Sequence, residues 1–528
     1  MEAEIPALAL YRCSVHVNTI FNDRSYTMIS EAYELSPHKI ERFLKKPRQE
    51  FTKADLIRFI EDNEVQMVNF RYPGGDGKLK TLNFSITDKA QLDRLLSGGE
   101  RVDGSSLFTS IDPSSSDLYV VPRFRTSYVN PFCEIPTVDV LCSFYTHDGT
   151  KLAGSPEHIV EAAQQALRIT TGYTMEAMGE LEYYTFYGPQ SLYPGTVRRG
   201  YHESSPFSKG ENLRIKAMQA IVQTGGKIKY GHTENGYLFT ENNCMEQHEI
   251  EFLPVALEDA ADQLLIAKWV LRMIGQAHGV TVTFAPKIAL GHAGSGLHIH
   301  TRLMKNGKNA LITDRTLNDV AHRMIAGYLS LASSITAFGN TIPVSYLRLV
   351  PHQEAPVCIC WGERNRSALV RVPLGWLHSR SMMHDANPNE KEKYSHDESG
   401  QTVEYRGSDG SADVYLLLAA LAVAARYGFE LENPLELARK LLIDVNIFNQ
   451  RDSTLHSELK RLPSSCSESA DCLEDDRSIY ESKSVFPSNV IDDTLRKLRS
   501  YNDIVLSEEL YGKEEDIRNL VEKYIHCA

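Results

Sequence analysis

Glu180-Leu181-Glu182, His298-Ile299-His300 and Glu404-Tyr405-Arg406 are three pairs of charged or metal-competent side chains, each pair two residues apart in an apolar or aromatic frame. On a β-strand, residues i and i+2 face the same side, so each pair aims its functional groups together. His248-Glu249-Ile250-Glu251-Phe252 repeats the pattern. Inward-facing carboxylates cost several kcal/mol to desolvate unless something cationic shares their space. Many carboxylates with few imidazoles suit Mg²⁺ or Mn²⁺ better than Zn²⁺. One such pair on a strand is commonplace. Several of them, one preceded by Gly294-Ser295-Gly296, point to a divalent-metal centre.

Cations form a second set. Arg364-Asn365-Arg366 and Arg371-Val372 lie in a strand-like segment, and Arg406 follows Glu404 by two residues. Arginine beside a divalent metal holds phosphate, because its planar fork matches the oxyanion and stays charged. The plain alternative is that these arginines are structural counter-ions for the carboxylates. Taken with the acidic pairs, they point to phosphoryl transfer. There is no GxxxxGK[ST] loop, so the chain is not a P-loop protein. Pro343, Pro351 and Pro356 bracket a polar stretch that presents Arg348 and Glu354, either a stiff connector or a lid. Val102-Asp103-Gly104-Ser105-Ser106 clusters side-chain oxygens in what is, by itself, only a turn.

The elements that must position these groups read as follows. Thr52 caps a helix carrying Leu56, Ile57, Phe59 and Ile60, and strands at 65–72 and 78–86 flank the turn Pro73-Gly74-Gly75-Asp76-Gly77. This α+β unit closes near Asp148-Gly149. A helix over 155–167 leads to the Glu180 strand. Further helices are expected at 256–279, 318–338 and 414–427, strands at 281–285 and 296–302 and around Cys358 and Val370, and a long polar loop at 377–401. Residues 1–50 read as an extension with little structure, and the tail from about 452 as charged helices. At 528 residues and net charge −13, the chain has room for two or more domains and no general affinity for nucleic acid or anionic membrane. Its longest apolar run, Val414 to Ala425, is too short to span a bilayer. The Met-Glu-Ala-Glu start lacks a secretory signal, and nine dispersed cysteines without a CxxC pair suit a reduced, cytoplasmic protein.

In order along residues 53–430, these segments resemble the glutamine synthetase family, of the type I, prokaryotic kind. The motifs are Asp103-Gly104-Ser105-Ser106, Gly179-Glu180-Leu181-Glu182-Tyr183-Tyr184, Gly200-Tyr201, Gln247 to Phe252, Gly294 to His300, Arg348-Leu349-Val350-Pro351, Glu354-Ala355-Pro356, Arg364 to Ala368, and Val403-Glu404-Tyr405-Arg406. The resemblance implies an α+β fold: a 1–50 extension, a β-grasp-like domain at 51–148, a catalytic domain at 149–450 with a curved antiparallel sheet flanked by helices, and a C-terminal helical region at 451–528. It implies Mg²⁺ or Mn²⁺, two or more ions per site, and ATP. Glu182, Glu234 and Glu249 would hold one ion, and Glu180, His298 and Glu404 the other. Arg348 and Arg406 would clamp glutamate beside Gly294. His300, Arg366 and Arg371 would face ATP. Asp103, Ser106, Tyr201, Glu234 and Glu354 would form an ammonium pocket, with Asp103, Glu354 and Arg366 catalytic. The family pattern also implies a homo-oligomer, a dodecamer of two stacked hexamers with sites between subunits.

Four departures stand out. Ala293 replaces a usual asparagine, and Thr402 a usual arginine. The 235–248 segment is long, which leaves Glu234 or Glu241 as the ligand, and the 371–404 loop is extended. Ligation of ammonia to glutamate is the leading expectation. A γ-glutamyl-amine ligase, a catalytically silent relative and a two-metal phosphohydrolase are the alternatives.

Overall fold

The computed structural model describes residues 33–189, 192–239, 244–350, 355–375, 382–392, 400–447, 459–510 and 512–527. Glu241, Glu354, residues 377–381 and 393–399 of the expected loop, and residues 1–32 therefore lie outside the described residues. Residues 33–50 differ from the loose extension expected. Lys39–Leu44 (α1) buries Ile40, and Arg48 Nη1 donates to Gly225 O at 3.1 Å across the domain boundary.

His38 starts α1 by accepting from Glu41 N through Nδ1 (3.1 Å), which leaves Nε2 to donate to Ser127 O (3.0 Å). Protonating Nδ1 would destroy that cap. Burial accordingly lowers the His38 pKa to about 4 from 6.5. A depressed histidine contributes its stability above the unfolded value and loses it as pH falls toward the folded one. At 1.36 kcal/mol per pH unit, this is worth about 3 kcal/mol. Amide protection factors across residues 39–44 should therefore fall between pH 6.5 and 4.5, and His38→Gln should flatten that dependence. Protection unchanged across the interval would contradict it.

Lys53–Asp62 (α2) opens on a capping box between Thr52 and Asp55 and buries Leu56, Phe59 and Ile60. With Lys89–Gly98 (α3), it covers a mixed sheet of Met67–Pro73 (β1), Leu79–Ser85 (β2), Glu100–Asp103 (β3), Asp117–Pro122 (β4), Tyr128–Val129 (β5) and Thr137–Tyr145 (β6). The order is β2-β1-β6-β4-β3; β1 and β6 are parallel, and β5 also pairs with β6.

The larger sheet has the order β16-β17-β18-β12-β7-β9-β8. These strands are Thr174–Tyr187 (β7), Ile228–Phe239 (β8), Cys244–Phe252 (β9), Leu297–Lys305 (β12), Trp361–Glu363 (β16), Val370–Val372 (β17) and Val403–Tyr405 (β18). Val255–Ala256 (β10) and Thr281–Thr283 (β11) add to β7, and Lys308–Asn309 (β13) adds to β12; Ile312–Thr313 (β14) and Thr316–Leu317 (β15) form a separate hairpin. Among the described strands of this sheet, only the β16–β17 pairing is parallel. Leu181, Ile250, Leu297, Ile299, Val403 and Tyr405 face a core shared with Pro156–Thr171 (α4), Glu211–Gln223 (α5), Leu257–Ala277 (α6) and Val414–Glu430 (α10). Helix α6 lies so close that a Cβ on Gly179 would stand 2.8 Å from Leu264 Cδ2.

Between α6 and α10, the helix expected over 318–338 is interrupted at Leu331 (φ −98°, ψ 11°), giving Asp319–Ser330 (α7) and Ala332–Gly339 (α8). Pro343–Arg348 (α9) follows. Cys358 is buried but outside any strand, making an isolated bridge to Arg461. The tail folds back onto the same core: Cys466–Asp475 (α11) and Ser488–Arg499 (α12) bury Cys466, Leu473, Leu495 and Leu498 against it. Glu514–Tyr524 (α13) packs on α9 through Ile517 and Val521. Among the described residues, no single helix is long and apolar enough to cross a membrane.

Candidate active site

Strand register assembles the site on the sheet face opposite that core. His298 lies across from Glu180 and Glu180 from Glu251; Glu182 lies across from Glu249 and Glu249 from His232. One step along, Arg371, Glu404 and His300 form a third row over three strands. The apolar alternates that fill the core oblige these polar residues to share the other side.

Two groupings result. In the first, His298 Nδ1 lies 2.9 Å from Glu180 Oε2 and 3.6 Å from Glu404 Oε1, and His300 Nε2 lies 2.8 Å from Glu180 Oε1. Glu251, with Glu180 and His300, closes a further set of possible ligand atoms. Burial raises the Glu180 carboxyl, but His300 and His298 outweigh it and hold the group well below the usual carboxylate range. In the second grouping, His232 Nε2 is 3.3 Å from Glu249 Oε1 and His232 Nδ1 is 3.7 Å from Glu234 Oε1. Burial, with Glu182 and Glu249 nearby, pushes Glu234 up to about 8. Burial also pushes Glu249 well above its ordinary value, and Glu180 and Glu182 add to the effect.

Carboxylates clustered around a few imidazoles make a donor set that fits hard divalent cations. Glu180, His298 and Glu404 would hold one, and Glu234, Glu249 and Glu182 the other, with His232 in reach of the second. Glu251 accepts from Lys229 Nζ through Oε1 (2.7 Å), and among the described residues its buried Oε2 has no hydrogen-bond partner.

Arginines border this face. Arg371 Nη1 and Arg406 Nη1 donate to the two oxygens of Glu404 at 2.7 and 2.6 Å. Arg348 is not on an exposed lid as the proline-bracketed reading allowed. It ends α9, is buried, and donates to Gly407 O (3.0 Å) and Arg406 O (3.3 Å), since a buried guanidinium needs acceptors. Gly296 admits this packing: a Cβ there would stand 2.7 Å from Arg348 Nη2 and 2.6 Å from His298 Nε2. Gly294 is similarly constrained, with Pro286 O 2.4 Å from a Cβ position, and its carbonyl accepts from Gln247 Nε2 (3.0 Å). The same amide donates to Glu182 Oε2 (3.0 Å).

Other expected residues scatter more. Tyr201 stacks on His202 (4.2 Å) and meets His232 edge-on (5.4 Å), beside the second grouping. Arg366 is not in the strand-like segment expected; it sits exposed in the turn between β16 and β17, where the chain reverses outside the sheet. Asp103 is exposed at the end of the edge strand β3, where Ser106 Oγ (2.6 Å) and Ser105 Oγ (2.7 Å) donate to it and hold its carboxyl well below the usual range. Thr402 Oγ1 is 2.9 Å from His300 Nδ1. His248 points to the other face, 2.9 Å from Arg214 Nη1. His232 was missed although His232-Thr233-Glu234 carries the same i, i+2 spacing as the other pairs.

Family models match nearly all of this architecture: the glutamine synthetase beta-Grasp domain over residues 64–147 and the glutamine synthetase catalytic domain over residues 153–499. The chain belongs to the glutamine synthetase family. A glutamine synthetase of Clostridium saccharobutylicum is 31% identical over 408 residues, covering 75% of this chain and 83% of that one. One from Thermus thermophilus is 30% identical over 450 residues, covering 82% and 91%. Among solved structures, a Plasmodium falciparum glutamine synthetase aligns with a TM-score of 0.71 at 19% identity, over 88% of this chain and 99% of its own. A GmaS/ADP complex aligns at 0.69 and 17% identity, over 89% and 99%. At those identities the structures speak for the fold: α+β, a β-grasp domain and a catalytic domain on a curved sheet. The glutamine synthetase family is one of ligases that use ATP, small-molecule substrates and divalent metals.

Proposed function

We propose that the chain ligates ammonia to L-glutamate, consuming ATP and passing through γ-glutamyl phosphate to L-glutamine. The convergence of Glu180, Glu182, Glu234, Glu249, His298 and Glu404 on one sheet face, with Arg348, Arg371 and Arg406 beside them, supports this reading. Bound divalent cations would neutralise the ATP phosphates and polarise the transferring phosphoryl group.

The chain's own residues divide the remaining work. Arg348 and Arg406 clamp the carboxylates of glutamate, Gly294 lines its pocket, and Arg366, Arg371 and His300 face the nucleotide. The γ-carboxylate oxygen attacks the terminal phosphorus and ADP leaves. Ammonium enters the anionic pocket of Ser106, Tyr201, Glu234 and Glu354 and gives a proton to Asp103. Ammonia attacks the acyl carbon, phosphate leaves, and Glu354 takes the second proton. Asp103 stands at an exposed domain edge, which suits action on a neighbouring subunit's site in a cytoplasmic homo-oligomer, a dodecamer in the family pattern.

The test is the acceptor. Ammonium should yield glutamine, while putrescine and ethanolamine yield little. Asp103→Asn should lower kcat/KM for ammonium by roughly 10²–10⁴-fold and glutamate-dependent ATP cleavage much less. An enzyme inert to ammonium and active on a larger amine would overturn the assignment of acceptor, and phosphate release independent of glutamate would overturn the ligase reading.

A further inference from the structure

A cavity of about 530 Å³ lies between the small domain, the catalytic core and α12, away from the acidic face. Pockets that take small organic ligands commonly span about 300–1,000 Å³. Its apolar walls come from three parts of the chain: Phe108 from the small domain, Phe338 and Leu416 from the core, and Leu498 from α12. Three of its five charged groups are already satisfied. Asp76 pairs with Lys80 (2.6 Å), and Asp493 pairs with Arg496 and accepts from Thr109 Oγ1 (3.2 Å). The other two differ. Asp413 caps α10 through Oδ1 alone, accepting from Tyr415 N (3.0 Å) and Leu416 N (3.2 Å). Among the described residues, no ion pair engages Lys497. The lining thus offers one anionic group, one cationic group and an aromatic and aliphatic surface between elements.

We propose that this cavity binds a small zwitterion with an apolar body, its ammonium toward Asp413, its carboxylate toward Lys497, and its apolar part among Phe108, Phe338 and Leu416. Its walls continue into the machinery described above. Ser106 lines the cavity and donates to Asp103, and Thr341 lines it just ahead of α9, which ends at Arg348. A ligand spanning these walls fixes the small-domain loop against the core, so occupancy changes ammonium use. That last consequence rests on the proposed function; binding itself does not.

Calorimetry on the full chain, with saturating L-glutamate present, would use L-phenylalanine, phenethylamine and 3-phenylpropionate as probes. L-Phenylalanine should bind once per chain, with both single-charge analogues at least about tenfold weaker. Lys497→Gln should weaken L-phenylalanine at least about tenfold. Thr494→Trp, which fills the cavity from the α12 side, should abolish binding while Tm and basal turnover stay near wild type. Absence of heat up to about 10 mM ligand, equal binding of the analogues, or binding that survives Thr494→Trp would each overturn the site. If binding behaves as expected but the KM for ammonium does not move, the site stands and the coupling to Asp103 fails.

Discussion

Glu404→Gln should reduce ATP-dependent ligation by about 10³-fold or more and weaken Mn²⁺ binding in the same protein. Glu404 has no exposed surface, yet four cationic or imidazole groups converge on it: Arg371 Nη1 at 2.7 Å, Arg406 Nη1 at 2.6 Å, His298 Nδ1 at 3.6 Å and His300 Nε2 at 3.9 Å. Burial works against its ionisation, and Arg406, helped by His300 and Arg371, outweighs burial and keeps the carboxyl below its ordinary value. Glutamine keeps the shape and removes the charge. Breaking a buried ion pair from one side costs about 3–5 kcal/mol, because the partner's charge remains buried, so a lower Tm is expected too. Stability alone therefore cannot separate the two roles open to Glu404. A structural counter-ion would give a Tm loss with Mn²⁺ affinity intact. A metal ligand gives loss of affinity and of turnover even at temperatures where the variant is fully folded. Turnover within tenfold of wild type, with unchanged Mn²⁺ affinity, would leave Glu404 as a counter-ion for the arginines only.

The sequence made the period-2 pairs legible because side-chain alternation is a property of one strand. Glu180 with Glu182 and His298 with His300 needed nothing else. Which pair faces which is a property of register, and register belongs to the folded sheet. His248 turns to the face opposite Glu249, toward Arg214, as alternation alone requires of neighbours on a strand. His232 and Glu234 carry the same i, i+2 spacing, but only the register sets His232 across from Glu249. The register slips between Thr233 and Tyr237, so Glu234 sits in an irregular stretch whose burial does not alternate. Arg348 looked like part of a loop because Pro343 and Pro351 frame it. Pro343 is instead the first residue of α9, a position where proline's missing N–H costs nothing. The helix expected over 318–338 carried a continuous apolar pattern, and that pattern could not report the interruption at Leu331. Gly327 and Gly428 matter only through packing. Their meaning is the close approach of α7 and α10, where a Cβ on Gly327 would stand 1.9 Å from Ala424 O.

Mn²⁺ or Mg²⁺ should stabilise the protein more at pH 8 than at pH 6.5, and the cation-free protein should lose stability over the same interval. Glu234 is raised to about 8 by burial and by Glu182 and Glu249, and Glu249 is raised in the same direction. Between an unfolded value near 4.5 and the folded one, the folded chain binds more protons than the unfolded chain, so stability falls as pH climbs. His300 acts with the same sign. Burial lowers its pKa, but Glu180 and Glu404 outweigh burial and raise it, so its contribution is whole below 6.5 and is lost as pH rises through the folded value. Glu180 and Glu404 are depressed, so their contributions are lost only on acidification below the carboxylate range, outside this interval. His38 and His248 are depressed and already neutral above 6.5. A divalent cation relieves the crowding of Glu234, Glu249 and Glu182, but at pH 6.5 it must first displace their protons, which weakens it. At a thousandfold excess over Kd, a cation that binds only the folded state contributes about 4 kcal/mol, enough to move Tm by several degrees. Thermal melts with EDTA and with Mn²⁺ at the two pH values measure both effects. A Tm indifferent to Mn²⁺ at both, or a larger shift at pH 6.5, would mean that these carboxylates are balanced from within the chain and hold no metal.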